Sequence, residues 1–312
     1  MSLASLLRLF FLAAIWGASF LFMRMAANSL GPAVLIEFRV GFAALTLFIV
    51  ALYLKRRLAF TAHTKHFFII GALNSALPFL LFAYAAQTIS ASTLSILNST
   101  TPIWGAVVGI IWSKTKPTKS MVLGLLLGLI GVAILVGQNH FVLNSQSLIA
   151  IAAALSASLC YAIASHYTKN APKLAPFDNA HGSMWAASFI VLPLILFMPM
   201  REVPSTNVML GVLALGVVCT ALAYILFFKL IDDIGPTSAL TVTFLIPLFG
   251  IFWGHLILDE QIGPNTLLGA LFVIVGTMLV TGFLPRKKHL LLRFFCLSFQ
   301  LSLVRYSCCR WV

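Results

Sequence analysis

The chain has 312 residues, of which 61% are hydrophobic and 9% are charged, and its formal charge at pH 7 is +13. A soluble domain has about 45–50% apolar and about 25% charged residues, so this composition excludes a soluble fold. The basic residues lie mostly between apolar runs and in the C-terminal tail, without the basic face and stacking aromatic residues of a nucleic-acid-binding module, so we expect no nucleic-acid partner.

Apolar runs follow one another along almost the whole chain. A membrane helix needs roughly 20 apolar residues, and such a run must be helical because unpaired backbone groups are costly in lipid. The predicted helices are Ser5–Ala26, Ala33–Leu54, His66–Gln87, Ser92–Ser113, Lys119–Gly137, Ser147–Thr168, Asn179–Met198, Val208–Leu230, Pro236–Leu258 and Asn265–Leu284. The sequence therefore predicts an all-α integral membrane protein with ten transmembrane helices, the first an uncleaved span rather than a signal peptide.

Basic residues fall on alternate connections between these helices. With the N-terminus in the cytoplasm, the inner connections carry Lys55, Arg56, Arg57, Lys65, Lys114, Lys116, Lys119, Lys169 and Lys173. Residues 138–146, on the outer side, contain no Lys or Arg. Cytoplasmic loops are enriched in these residues. We therefore predict cytoplasmic N- and C-termini and a multi-pass protein in the bilayer of the inner (plasma) membrane.

The sequence repeats itself at an offset of 145 residues, without a gap. Glycine and proline pairs at this offset are Gly71 and Gly216, Pro102 and Pro247, Gly105 and Gly250, Gly109 and Gly254, Gly124 and Gly269, and Gly131 and Gly276. Each of these residue types marks a special backbone requirement. We predict two five-helix repeats, residues 1–140 and 147–284, followed by a basic cytoplasmic tail, residues 285–312, that is interfacial or disordered.

An odd number of helices in each repeat means that the second repeat enters the membrane from the opposite side. Such inverted repeats are typical of secondary transporters, whose substrate site lies near the midplane between the two halves. The alternative is a duplicated helical bundle without a pore, since a fold alone does not fix a function.

Short motifs in both halves resemble those of the EamA-like group of the drug/metabolite transporter superfamily. Ile15–Phe20 is similar to the Trp-Gly motif that opens that family, and Glu37–Val40 is similar to its second-helix arginine motif. Ser92–Gly105 resembles its serine-rich stretch ending in proline. In the second half, Gly235–Pro247 repeats this pattern, and Leu258–Gln261 resembles the family's Gly-Glu turn.

The resemblance covers about residues 5–284 and implies a permease that works by alternating access. It implies efflux or exchange of a small metabolite, such as an amino acid or an amphipathic organic compound, and no enzymatic activity. The sequence departs from the family at Trp112–Lys116, where a matching acidic turn would stand in the first half. Two alternatives are an integral-membrane enzyme acting on lipid and a scaffold that transports nothing; the enzyme's candidate groups, Asp232, Asp233 and His181, form no recognised motif.

Three ionisable residues stand out within the first two predicted helices: Arg24, Glu37 and Arg39. Charged residues inside a membrane are costly and mark functional sites by default. We expect Glu37 to pair with either arginine and leave net positive charge near the mouth of a cavity. Arginine binds carboxylates through two parallel hydrogen bonds, which favours an anionic or zwitterionic substrate. The alternatives are a structural ion pair and an arginine that reaches the membrane interface.

Proline, amide and aromatic residues complete the predicted substrate site. Pro102 and Pro247 each free a backbone carbonyl within the membrane, beside Asn98 and Thr243, and these carbonyls are candidates for binding a polar solute; the alternative is a packing kink. The residues predicted to line a mostly apolar pocket are Trp16, Asn74, Phe79, Tyr161 and Tyr224. Each of these also suits ordinary core packing.

The sequence contains no motif for a nucleotide, metal or prosthetic group. No Walker-type loop is present, which argues against ATP-driven transport within the chain, and no metal-ligand spacing links the five cysteines. We therefore expect no cofactor, no metal and no structural disulfide. The expected partners are a small-molecule substrate and the lipid bilayer, and a homodimer is left open.

Overall fold

The computed structural model describes residues 2–56, 58, 60–114, 116–137, 145–239 and 241–283, and within these ranges it is helical without a strand. The helices are α1 (Leu3–Tyr53), α2 (Thr61–Ala85), α3 (Ala91–Asn98 and Thr101–Ser113), α4 (Lys119–Gly137), α5 (Ser145–Asn170), α6 (Pro176–Leu196), α7 (Thr206–Ile234), α8 (Val242–Leu258) and α9 (Pro264–Thr281). A short helix, Pro236–Ala239, precedes α8. The predicted tail, residues 285–312, lies outside the described residues.

Most of these helices suit a membrane. Within the described residues, eight helical segments are long and apolar enough to cross one, and α8 is a shorter apolar helix. Large apolar side chains lie on the surface, including Leu52, Ile111 and Leu129. Lipid is the environment in which such a surface carries no penalty. The prediction of an all-helical, multi-pass membrane protein is therefore confirmed.

A single glycine forms a corner within α1. Gly31 has φ 72° and ψ 162°, which are not helical, and Pro32 follows it. Only glycine adopts such a backbone readily, and proline suits the first turn of a helix. The chain thus has a first arm, residues 3–30, and a second arm, residues 32–53, each longer than the roughly 20 residues that a span needs. The six-residue link predicted between Ala26 and Ala33 is wrong, because the arms meet at one residue.

Two helices contain a π-helical turn at equivalent positions of the repeat. One turn is Ala72–Ala76 in α2, and the other is Val217–Leu222 in α7. At the 145-residue offset, residues 72–76 correspond to 217–221. Turns of this kind occur frequently at functional sites, and both are important for the site described below.

Glycines on α4 and α9 bring two equivalent helices into backbone contact. A Cβ atom on Gly131 would lie 2.9 Å from the carbonyl oxygen of Gly269, and a Cβ atom on Gly276 would lie 2.7 Å from that of Gly124. The pairing of 124 with 276 and of 131 with 269 makes the two helices antiparallel. Small residues permit this close approach in membrane proteins. These two equivalent helices, one from each half, therefore run in opposite directions.

A second pair of equivalent glycines lies where helices of one half pack on helices of the other. Gly71 on α2 packs on α6, where an added Cβ atom would lie 2.8 Å from the carbonyl oxygen of Ser183. Its equivalent, Gly216 on α7, packs on the second arm of α1, where an added Cβ atom would lie 2.6 Å from the Cβ atom of Phe42. Each half thus supplies the surface on which a helix of the other half rests.

Candidate functional site

Arg39 is buried between the two halves. Its side chain is on the second arm of α1 and the residue is 5% exposed. The Nε atom donates to the hydroxyl of Thr220 at 3.1 Å, and one terminal nitrogen lies 3.4 Å from the sulfur of Met23. The guanidinium carbon lies 3.5 Å from the centre of the Phe79 ring. These partners are neutral, so they hold the cation in place without neutralising its charge.

Glu37 does not supply the missing negative charge. Its Oε1 atom accepts a hydrogen bond of 2.5 Å from Ser188 on α6, and its Oε2 atom is buried without a hydrogen-bond partner. Ion pairs within the described residues are Arg8–Asp233, Arg56–Asp178 and Lys229–Asp233, and none includes Arg39. Residues two positions apart point to different faces of a helix. The predicted pairing of Glu37 with an arginine is therefore wrong.

Polar side chains on the two π-helical turns lie beside Arg39. Asn74, in the first turn, donates to the hydroxyl of Tyr224 at 3.1 Å. Thr220, in the second turn, donates to the carbonyl oxygen of Leu215 at 2.8 Å while it accepts from Arg39. Ser75 is fully buried beside Tyr224. One cluster of polar groups thus joins both halves.

Sequence reasoning missed Ser75 and Thr220. These two residues are 145 positions apart, so they are equivalent polar residues in otherwise apolar helices. That correspondence was available from the sequence alone. Their importance depends on the π-helical turns, which aim both hydroxyls inward and which no local sequence pattern announces.

Aromatic rings surround this polar cluster. Trp16 packs on Phe227 with ring centres 5.2 Å apart, and Tyr161 stacks on Phe82 at 6.3 Å. Tyr161 and Tyr224 lie close enough to Arg39 to interact with it electrostatically. Trp16 and Tyr161 are equivalent residues of the two halves, as the offset predicts. The structure therefore brings together Arg39, Phe79, Asn74, Tyr161 and Tyr224, whereas the ring contact described for Trp16 is with Phe227.

Arg24 lies apart from the cluster and binds the end of α2. One of its terminal nitrogens donates to the carbonyl oxygens of Ala86 at 2.6 Å and Gln87 at 2.8 Å. The last carbonyls of a helix lack intrahelical donors and carry partial negative charge. These contacts give Arg24 a structural role as a helix cap.

The proline breaks also lie apart from Arg39. Pro102 follows the interruption in α3, and the carbonyl oxygen of Asn98 accepts a hydrogen bond of 2.7 Å from Thr101. The carbonyl oxygen of Ser99 accepts one of 3.0 Å from Thr277 on α9. Side chains of the protein thus satisfy carbonyls at this break. Thr243 and Pro247 lie in the first half of α8, where Pro247 is buried.

The groups considered for an enzyme are dispersed. Asp233 pairs with Arg8 and Lys229, whereas His181 accepts from the indole nitrogen of Trp185 at 3.0 Å. Within the described residues, no group of three or more His, Cys, Asp or Glu side chains is placed to hold a metal ion. The cluster that the chain does assemble is a buried cation with hydroxyl, amide and aromatic neighbours, a combination that can bind a small anion.

Comparison with known proteins identifies relatives of both halves. The profile of the EamA-like transporter family matches residues 3–137 and 148–282. The chain is 24% identical over 280 residues to the uncharacterized transporter YoaV of Bacillus subtilis (strain 168), covering 88% of this chain and 95% of that protein. It is 21% identical over 225 residues to protein PecM of Dickeya dadantii (strain 3937), covering 71% of this chain and 76% of that one.

A solved crystal structure has the same fold. The superposition gives a TM-score of 0.64 and 13% sequence identity, and it covers 92% of this chain and 100% of the other. The likeness in fold therefore extends over most of this chain.

Proposed function

Because this chain belongs to the EamA-like transporter family, we propose that it is a secondary transporter that moves a small organic anion or zwitterion by alternating access. The observation that carries the proposal is Arg39, a buried cation between the halves whose described contacts are all neutral. The resemblance favours export or exchange of a metabolite such as an amino acid.

The proposed topology has ten spans in two inverted repeats. The corner at Gly31 divides α1 into two spans, and the short helix Pro236–Ala239 extends α8 to the length of a span. The antiparallel contact of α4 with α9 supports the inversion. The distribution of Lys and Arg supports cytoplasmic termini and residence in the plasma membrane.

An isolated cation within a membrane protein is costly. An arginine at the centre of a membrane helix costs about 2.5–3.5 kcal/mol on insertion scales. Bringing a carboxylate to Arg39 offsets that cost through charge-assisted hydrogen bonds. A structural arginine would instead recover it from permanent partners, such as the counterion Asp233 for Arg8 or the backbone carbonyls of residues 86 and 87 for Arg24.

The neighbours of Arg39 define the remainder of the proposed substrate. Asn74, Tyr161 and Tyr224 offer amide and hydroxyl groups to a second polar function, such as the amino group of a zwitterion. Trp16 and Phe79 offer apolar surface to a side chain. A pocket with a few polar groups in an apolar wall is the usual design of a small-molecule site.

Flux into proteoliposomes tests the proposal. Truncating one member of a buried charge pair costs about 2–5 kcal/mol, so Arg39→Ala is expected to weaken uptake of labelled amino acids or other small carboxylates by at least about 30-fold. A screen of carboxylates, amines and neutral solutes, with and without a pH gradient, identifies the substrate.

The matched control is Lys65→Ala, which removes an exposed cation at the start of α2. It is expected to leave flux within about twofold of the parent, since exposed charges are largely screened. Equal flux in the parent and in Arg39→Ala, with both proteins folded, would remove Arg39 from the site and overturn the anionic substrate class.

A further inference from the structure

The carboxylate of Glu260 joins the second half to the first. Glu260 follows α8, and its Oε1 atom accepts from the backbone nitrogen of Ala91 at 2.7 Å. Its Oε2 atom accepts from the backbone nitrogen of Ser92 at 3.0 Å and from the Ser92 hydroxyl at 2.5 Å. The first backbone N–H groups of a helix lack intrahelical acceptors and carry partial positive charge. A carboxylate from one half thus caps a helix of the other half, α3.

A seam of small residues lies beneath this cap. Gly254 on α8 packs on Ser92, where an added Cβ atom would lie 2.8 Å from the serine hydroxyl, and it would also collide with the Glu260 carboxylate. Gly250, one helical turn earlier, packs equally tightly on Ser95. The start of α3 and the end of α8 are therefore closed against each other. We call this region the Glu260 end.

The backbone holds Glu260 in this position. Asp259 ends α8 in the left-handed conformation, with φ 52° and ψ 31°. The backbone nitrogen of Glu260 then donates to the carbonyl oxygen of Gly254 at 3.1 Å. Such a turn closes the end of a helix and here directs the next side chain towards α3.

The equivalent positions at the other end of the bundle share the backbone turn but have no carboxylate at the position of Glu260. Lys114 ends α3 with φ 51° and ψ 32°, nearly the same conformation as Asp259. The residue after it is Thr115, which is uncharged and lies outside the described residues. Gly105 corresponds to Gly250, and no atom of the described part of the chain, beyond its own helix turn, lies within 4 Å of a Cβ atom built on it. We call this region the Lys114 end.

We propose that Glu260 is a positioning residue that latches the Glu260 end, and that the Lys114 end closes without such a latch because Thr115 stands at the equivalent position. The inference rests on the proposed alternating access and adds a direction to it. The conformation described is closed at the Glu260 end, where the start of α3 and the end of α8 are in contact. Opening the Glu260 end requires all three hydrogen bonds of the carboxylate to break.

Distances between spin labels test the latch on the full-length protein in proteoliposomes without substrate. Labels on non-natural residues at Gln87 and Gln261 report the Glu260 end, and labels at Lys116 and Asp232 report the Lys114 end. Hydrogen bonds to a charged group are stronger than those to its neutral analogue. Glu260→Gln is therefore expected to raise the ratio of open to closed Glu260 ends by about tenfold, and Ser92→Ala to shift it less in the same direction.

The reciprocal variant installs the missing carboxylate. Thr115→Glu is expected to increase the closed population at the Lys114 end by about tenfold, while Thr115→Gln, of the same size but neutral, leaves it unchanged. The control at the Glu260 end is Glu202→Gln, which neutralises an exposed acid on the connection between α6 and α7.

Two results would overturn the inference: a Gln87–Gln261 distance distribution in Glu260→Gln that matches the parent, or a response to Thr115→Glu that matches Thr115→Gln. Because these distances are measured without substrate, absence of flux in every assay would defeat the proposed function and leave the latch standing. Flux with unmoved distances would defeat the latch alone.

Discussion

The π-helical turn at Ala72–Ala76 of the first half recurs at Val217–Leu222 of the second, whereas Arg39 of the first half corresponds to Met184 of the second. The ends of α3 and α8 differ in the same way. Both end in a left-handed residue, but the residue that follows is the uncharged Thr115 after α3 and the acidic Glu260 after α8. In these two comparisons the backbone irregularity is duplicated, whereas Arg39 and Glu260 have uncharged residues at their equivalent positions, Met184 and Thr115. In the proposed mechanism, the duplicated backbone allows each end of the bundle to close, while the single Arg39 and the single Glu260 act as anion site and latch.

The largest expected effect comes from breaking a contact that is duplicated. Gly131→Leu and its repeat equivalent Gly276→Leu would each drive a side chain into the backbone of the facing helix, at 2.8 and 2.7 Å from the built Cβ atom. Overpacking of this kind costs about 3 kcal/mol. Thermal unfolding in detergent is expected to show similar losses for both variants. Leu129→Ala, at a surface position 67% exposed, is the control, and an unequal loss between the two glycine variants would contradict the symmetry.

The next effect comes from making the two halves alike at Arg39. Arg39→Met places the residue of position 184 at its equivalent, and it removes a buried cation whose described contacts are neutral. Replacing buried charge by apolar side chains is often stabilising by about 1–4 kcal/mol. We expect a rise of about 2 kcal/mol in unfolding free energy together with loss of anion flux. A loss of stability would indicate a counterion for Arg39 and argue against the substrate site.

A smaller effect on stability is expected when Arg24 is replaced, and a still smaller one when its repeat equivalent Lys169 is replaced. Arg24 donates to two carbonyl oxygens at the end of α2, and Lys169 is exposed near the end of α5. Hydrogen bonds to charged groups contribute about 1.5–3 kcal/mol, so Arg24→Gln is expected to lower the unfolding free energy by about 1.5 kcal/mol. Lys169→Gln is expected to lower it by less than about 0.5 kcal/mol. Equal effects in a thermal-shift series would show that the helix cap is not the role of Arg24.

The smallest effect concerns the hydrogen bond that joins the halves at the site. A double-mutant cycle of Asn74→Ala and Tyr224→Phe isolates the 3.1 Å contact between their side chains. Hydrogen bonds within membrane proteins average about 0.6 kcal/mol in such cycles, and we expect a coupling of that size in unfolding free energy. If the two substitutions change the unfolding free energy additively, the side chains of Asn74 and Tyr224 do not interact. Substrate KM is expected to change in both single variants, because both line the proposed site.

Much of the fold was accessible from the sequence because lipid enforces it. Apolar runs must be helical in a membrane, and the glycine and proline pairs exposed the repeat. The corner at Gly31 was missed because the Gly-Pro pair was interpreted as part of a longer link. The π-helical turns were missed because they arise from packing across the bundle and leave no local pattern.

The candidate site was only partly accessible. Arg39 stood out because an ionisable residue within a membrane span is rare. Its neighbours were harder to predict: Glu37 turns to Ser188, and Arg24 binds backbone carbonyls that no side-chain pattern reveals. Glu260 reaches a helix start far earlier in the chain, and a contact of that sequence separation follows from the tertiary structure alone.

The glycine contacts between the two halves form in a definite order as the protein is synthesised. Gly71 on α2 leaves the ribosome before α6, the helix on which it rests, has been made. The face of α2 around Gly71 therefore stays without its packing partner until α6 is inserted. Gly216 on α7 has no such delay, because the second arm of α1 is already present. One face of the first half is thus covered only after α6 of the second half has been made.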